Sequence, residues 1–175
     1  MKLVVGISGA SGARLAKRFV ELLPKDIELF VVQSESSKVV FEKEEGITNF
    51  ANTDISAPIS SGSFGADAMI IVPTSMNTLA KIAHGIADNL ITRAASVMIK
   101  EQKKLVLTPR EMPFSPIALE NMLKLSNIGV IISPPTIAYY SKQQTLEHME
   151  EFLIGKWFDT LGISHNIYKR WGRDE

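Results

Sequence analysis

The sequence predicts one α/β domain: a three-layer arrangement with a parallel sheet and helices on both faces. Short β-prone runs alternate with helix-forming segments along the chain, and nearly every polar or glycine-rich run falls where a strand ends. Bulk composition agrees, because 175 residues that are 45% hydrophobic and 22% charged suit one domain with a sizeable core. Residues 1–175 are therefore expected to form a single domain, with an irregular tail from about residue 162.

The elements follow in order. Leu3 to Ile7 is a short β-prone run, and the glycines at 6, 9 and 12 of "GISGASG" place a turn before a helix from Ala13 to about Leu23, broken by Pro24. "IELFVVQ" reads as a second strand, and "SESSKVVFEKEE" opens with serines that mark a second strand-to-helix turn. "GITNFANTDISAPISSGSFGAD" has no sustained period and is expected to be a long irregular crossover. "AMIIVP" is a third strand, "TSMNTLAKIAHG" and "ADNLITRAASVMIKEQ" are helical, and "KKLVLTP" is a fourth strand. "SPIALENMLKLSNIG" is a capped helix ending at Gly129, and "VIISPP" a fifth strand. In "QTLEHMEEFLIGKWFDTLG" the apolar residues at 146, 149, 153 and 157 are spaced for one helix face, and "ISHNIYKRWGRDE" is irregular.

Charge and composition narrow the function classes. Nineteen basic and nineteen acidic residues cancel, so nothing favours DNA or an acidic membrane as partner. The absence of cysteine removes disulfides, thiolate metal sites and cysteine nucleophiles together. The chain opens on a strand and a glycine turn rather than a leader, and no apolar run approaches about 18 residues, so a cytoplasmic protein without membrane spans is expected. His84, His148 and His165 show neither metal-ligand pairing nor a companion carboxylate spacing, so no metal is expected.

In parallel α/β sheets ligands sit beyond the carboxyl ends of the strands. There "GISGASG", "QSESS", "VPTSMNT", "TPREMP" and "SPPTIAYY" should converge on one site. "GISGASG" is not a standard nucleotide signature, but a glycine-rich turn into a helix N-terminus is a natural anion site. Ser75 and Thr78 open a helix, where they would serve either as phosphate donors or as ordinary caps. Arg110 and Glu111 at a strand end supply an anion clamp and a proton donor, or a surface ion pair. Arg93 and Lys100, seven apart on one helix, share a face and would either meet one anion or be solvated. Glu44 and Glu45 read by spacing alone as a solvated helix end.

Taken in order, "GISGASG", "APISSGSF", "PTSMNTLAKIAHGIADNLITRAA", "KKLVLTPREMPFSPIALENMLKLSNIG" and "PP...YY" resemble the flavin prenyltransferase, UbiX-like, family over nearly the whole chain. The resemblance implies a Rossmann-like, flavodoxin-like flavoprotein fold. It also implies a metal-independent enzyme that joins the dimethylallyl group of dimethylallyl monophosphate to reduced FMN and supplies prenylated FMN to UbiD-type decarboxylases. Matched residue by residue, Gly9, Ala10, Ser11, Ser34, Ser75, Met76, Asn77, Thr78 and Arg110 would contact FMN, with the Ser11 hydroxyl near flavin N5. Arg93, Lys100, Tyr140 and Lys156 would hold the substrate phosphate, and Glu111 would protonate it as it leaves. Ring closure onto C6 then needs a base, for which the resemblance leaves Glu44 and the released phosphate. A homo-oligomer with sites at subunit interfaces is implied as well.

Three positions depart from the family pattern. "SESSKVV" replaces a Ser-Lys pair that usually follows the second strand directly. Thr74 stands where cysteine is frequent, and Lys156 stands where arginine is more familiar. Two rival functions fit less well. An FMN-dependent cysteinyl decarboxylase would carry a histidine before its "PASANT"-type turn and a "PxMNxxMW" segment, and neither is present. A non-catalytic flavin-binding subunit would have no need of Arg93, Lys100, Glu111 and Tyr140, which are all retained.

Overall fold

The structure is a computed structural model that describes residues 1–9, 12–37, 47–141, 143–168 and 170. These cluster into two compact units, Met1–Pro134 and Pro135–Glu175.

The first unit holds six parallel strands in the order β3-β2-β1-β4-β5-β6: β1 (Lys2–Ile7), β2 (Glu28–Gln33), β3 (Ile47–Ala51), β4 (Ala68–Thr74), β5 (Lys104–Pro109) and β6 (Ile131–Ile132). The chain runs outward from β1 to β3, then crosses back to β4 on the other side of β1. The crevice between β1 and β4 is therefore the point where strand order reverses. Helices α2 (Met76–Ala83), α3 (Leu90–Lys100) and α4 (Pro116–Ser126) bury Leu79, Ile91, Ala95 and Met122 against Val4, Met69, Ile71, Leu105 and Leu107. The alternate strand residues Leu3, Val5, Ile70 and Val72 point the other way, to the face that α1 (Ala13–Glu21) covers with Ala16, Phe19 and Val20. Gly6 lets α3 approach closely, since a Cβ there would stand 3.2 Å from Ile71 Cγ1 and 3.4 Å from Ile91 Cγ2.

One expectation fails here. The crossover after residue 46 is not wholly irregular, because "ITNFA" forms edge strand β3 beside β2. Its Thr48 and Asn49 face solvent, so the segment lacks the apolar run of a central strand, and its anchor is Phe50, stacked on Phe30 at 6.5 Å. Among the described residues there are thus six strands where the sequence predicts five.

The second unit contains α5 (Leu146–Leu161), capped by the Thr145 hydroxyl and ended by Gly162 at φ 82°. Its buried residues are Glu150, Phe152, Ile154, Gly155, Trp157, Phe158 and Leu161, whereas Leu146 is exposed. The apolar stripe at 146, 149, 153 and 157 is therefore only the edge of the buried face: Trp157 is buried, Met149 and Leu153 are half-buried and Leu146 is exposed. The small Gly155 and the carboxylate Glu150 belong to that face, and apolar spacing alone passes over both. Among the described residues no helix is long and apolar enough to cross a membrane.

Candidate active site

Four adjacent strands, β2, β1, β4 and β5, deliver their carboxyl ends side by side. Ser8, just past β1, donates its N–H to the Pro73 carbonyl at 3.2 Å, and its hydroxyl donates to the same oxygen at 3.1 Å. That hydroxyl also accepts the Ser75 N–H at 3.0 Å, so one buried side chain staples the two central turns together. Replacing Ser8 with alanine leaves the Ser75 N–H without its acceptor. The expected cost is about 1–3 kcal/mol, seen in a thermal melt as a fall of several degrees; an unshifted midpoint would mean that the staple carries no stability.

On the other side of β1, Ser34 holds the glycine turn by accepting the Gly9 N–H at 3.2 Å, while its own N–H donates to the Ile7 carbonyl at 2.9 Å. Gly9 and Gly12 take φ of 107° and 106°, a region that side chains disfavour, and a Cβ on Gly12 would press to 3.2 Å from Pro73 Cγ. Gly12 starts α1 with neither a capping side chain nor an acid in the first turn, whereas Ser75 caps α2 by accepting the Thr78 N–H at 3.2 Å. The Ser75 hydroxyl in turn donates to Thr78 Oγ1 at 3.0 Å, which leaves the Thr78 proton and the first N–H groups of α2, Met76 and Asn77, as donors at the crevice mouth. Ser75 is thus a helix cap that sits in a donor-rich turn. Ala10, Ser11 and Glu44 lie outside the described residues, as does Trp171.

Thr74 is fully buried. Its hydroxyl donates to the Ile71 carbonyl at 2.8 Å and accepts the Thr108 N–H at 2.9 Å across the β4–β5 irregularity, which gives a structural use to the residue that departs from the family cysteine. Arg110 and Glu111 follow β5 directly and are exposed, with Glu111 Oε1 accepting the Met112 N–H at 3.1 Å.

Arg93 and Lys100 share a cavity of about 230 Å³ with Ser60, Ser61, Gly62 and Ser96. The Arg93 Nε donates to the Ser60 carbonyl at 3.2 Å, which fixes the guanidinium at the wall. Lys100 pairs with Glu101 at 2.7 Å, and the Glu101 carboxylate occupies the space a Cβ on Gly62 would need. The common helical face predicted for 93 and 100 is therefore a pocket wall. Ser60, Ser61 and Ser96 were not candidates, although serines bracketing a glycine in "SSGS" and a serine three residues after Arg93 are donors at the right helical spacing.

The Flavoprotein family profile matches residues 1–154. The flavin prenyltransferase UbiX of Helicobacter pylori is 53% identical, covering 98% of this chain and 99% of its own. This chain belongs to the UbiX-like flavin prenyltransferase family. Two solved structures in this likeness have TM-scores of 0.91. One, a dodecameric FMN-dependent UbiX-like decarboxylase from Escherichia coli O157:H7, is 39% identical over 98% of this chain and 99% of that one. The other, AnUbiX (PadA1) in complex with FMN and dimethylallyl pyrophosphate, is 36% identical over 99% and 98%.

For a flavin prenyltransferase of this family, the remaining two candidates lie in the second unit. Tyr140 is exposed and packs edge-on against Phe152 at 5.9 Å, and Lys156 is exposed on α5. Near them is a cluster that sequence spacing passed over. Asp159 accepts from Arg170 at 2.6 and 3.0 Å, from the Tyr168 hydroxyl, and from His165 Nε2 at 3.1 Å. His165 therefore does have a companion carboxylate. Gly162 reverses the chain after α5, and a pattern search along the helix does not anticipate a partner beyond its end.

The cluster has a defined pH window. Burial would raise the Asp159 carboxyl, yet the hydrogen bonds from Arg170, Tyr168 and His165 outweigh it and hold the group at about 2 against an ordinary 3.8. Burial and the bond to Asp159 push the Tyr168 hydroxyl from 10.0 to about 12. A depressed acid contributes stability above its unfolded value and loses it as pH falls through the folded one; a raised phenol contributes below its unfolded value and loses it on the alkaline side. The tail should therefore stay docked between about pH 4 and pH 10. Near-ultraviolet circular dichroism of the aromatic side chains checks this, and a transition near pH 6 would contradict it.

Proposed function

We propose that this chain transfers the dimethylallyl group of dimethylallyl monophosphate to N5 and C6 of reduced FMN, making prenylated FMN for a UbiD-type decarboxylase. The observation that carries this reading is the stapled β1/β4 crevice, with positive-φ glycines and free helix donors at its mouth, in a chain that also holds a two-cation pocket. The crevice fits FMN: Gly9, Ser34 and Ser75 to Thr78 offer backbone and hydroxyl donors at the switch point, and Arg110 adds a cation one strand away. Ala10 and Ser11 complete the same turn in sequence. When bound and reduced, the flavin supplies a nucleophilic N5.

The protein's part is to stabilise the leaving phosphate. Arg93, Lys100, Tyr140 and Lys156 neutralise its growing charge, with bidentate donors from Arg93. Glu111 gives it a proton, and Glu44 or the departing phosphate takes the C6 proton. A monophosphate carries less charge than a diphosphate, so these side chains substitute for a metal ion. The decarboxylase and scaffold alternatives account for neither the paired cations nor Glu111.

The same reading takes the two units as one catalytic domain in a cytoplasmic homo-oligomer with sites at subunit interfaces. The dodecameric Escherichia coli relative supports the assembly, as do Met112, Ile117 and Leu123, which stand 91%, 69% and 63% exposed after β5 and on α4. Anaerobic incubation with reduced FMN and dimethylallyl monophosphate tests the function. Mass spectrometry should find a flavin enlarged by one five-carbon unit, and unmodified FMN after prolonged turnover overturns the reading.

A further inference from the structure

The Asp159 cluster has no place in the chemistry above. A carboxylate offers about four acceptor positions, and Arg170, Tyr168 and His165 occupy them with four hydrogen bonds. The Ile167 N–H donates to His165 Nδ1 at 3.3 Å, which favours the tautomer with its proton on Nε2 toward Asp159, with Arg170 Nη2 3.3 Å from the same nitrogen. A carboxylate filled in this way has no lone pair left to accept a substrate proton. What it does is clamp the tail. His165 and Tyr168 lie back on α5 over Gly155, where a Cβ would stand 2.9 Å from His165 Cε1 and closer still to the Tyr168 ring.

The clamp continues into a ladder of rings. Tyr168, held by Asp159 at one end and overlain by the Arg170 guanidinium at 5.4 Å, packs edge-on against Phe152 at 5.2 Å. Phe152 is buried and packs edge-on against Tyr140 at 5.9 Å. Tyr140 itself sits 61% exposed in a short 3-10 turn, Tyr139–Ser141, and the buried Phe152 edge is a rigid support for its ring.

We infer that Asp159 and Tyr168 are positioning residues for the transfer reaction: they pin the tail to α5 and, through Phe152, fix the ring that presents the Tyr140 hydroxyl to the substrate phosphate. This rests on the proposed role of Tyr140 as a phosphate contact. The clamp prepays the ordering of that side chain, so loosening it weakens substrate binding and leaves FMN binding alone.

The test is a double-mutant cycle with a spectroscopic reporter. Tyr168→Leu should raise the KM for dimethylallyl monophosphate about five- to tenfold with the FMN Kd unchanged, and Tyr168→Phe, which keeps the ring, should recover most of that loss. In a Tyr140→Ala background Tyr168→Leu should add nothing further. A fluorine label on the Tyr140 ring should give one sharp resonance in the parent protein and a shifted or broadened one with Tyr168→Leu. A KM increase of equal size in both backgrounds, or an unchanged fluorine signal, overturns the proposal. If Tyr140→Ala alone leaves KM unchanged, the phosphate role of Tyr140 falls and the catalytic half of the proposal with it, while the fluorine comparison still decides whether the tail fixes the ring. Asp159→Asn guards against a misfolded leucine variant, and its fluorine spectrum should match that of Tyr168→Leu.

Discussion

Glu111→Gln is expected to lower turnover about a hundred- to ten-thousandfold while FMN and substrate bind nearly as before, the range typical of losing a positioned proton donor. The structure makes this a clean substitution. Glu111 follows β5 directly beside Arg110, and its Oε1 accepts the Met112 N–H at 3.1 Å. Glutamine has an oxygen in the same place, so the turn keeps its hydrogen bond and only the transferable proton is lost. If neutralisation by Arg93 and the lysines suffices to release phosphate, the effect falls to less than about tenfold. Single-turnover rates on enzyme preloaded with reduced FMN separate the two, and a rate within about threefold of the parent removes Glu111 as the donor.

The sequence was most readable where apolar period and turn chemistry coincide. β1, β2, β4 and β5 are buried runs ended by glycine, serine or proline, and a parallel sheet leaves no other place for those ends to meet. β3 escaped because an edge strand needs only one apolar face, and Phe50 alone supplies most of it. On α5 apolar spacing finds only the edge of the buried face, because burial there depends on what folds back over the helix. Gly155 is buried to admit Tyr168, and nothing in the helix's own spacing says so. At the site, Ser75, Arg93 and Lys100 were legible as chemical possibilities but not as choices, since a cap and a solvated charge have the same local sequence as a ligand. Resemblance made the choice; Arg93 and Lys100 share a cavity wall, whereas Ser75 caps α2 at the end of β4. The Ser8 staple had a visible serine but no visible partner, because Pro73 and Ser75 lie more than sixty residues away along the chain.

The two cations of that cavity should not contribute equally. Arg93 is aimed by its bond to the Ser60 carbonyl and retains the terminal nitrogens of its guanidinium for a bidentate grip on phosphate. Losing such a charged contact costs about 1.5–3 kcal/mol, so Arg93→Ala should weaken dimethylallyl monophosphate about ten- to a hundredfold. Lys100 starts from a different position. It is 67% exposed and already paired with Glu101 at 2.7 Å, so an incoming phosphate gains its attraction only by displacing a carboxylate. Exposed pairs are worth about 0–1 kcal/mol, and the net effect of Lys100→Ala should stay below about fivefold. Glu101→Gln removes the competitor, so it should tighten phosphate binding, and it should do so only while Lys100 is present. Isothermal titration of the substrate into FMN-loaded protein measures all three variants. Equal losses from Arg93→Ala and Lys100→Ala would show that the Glu101 pair does not restrain the lysine, and no loss from either would move the phosphate out of this cavity altogether.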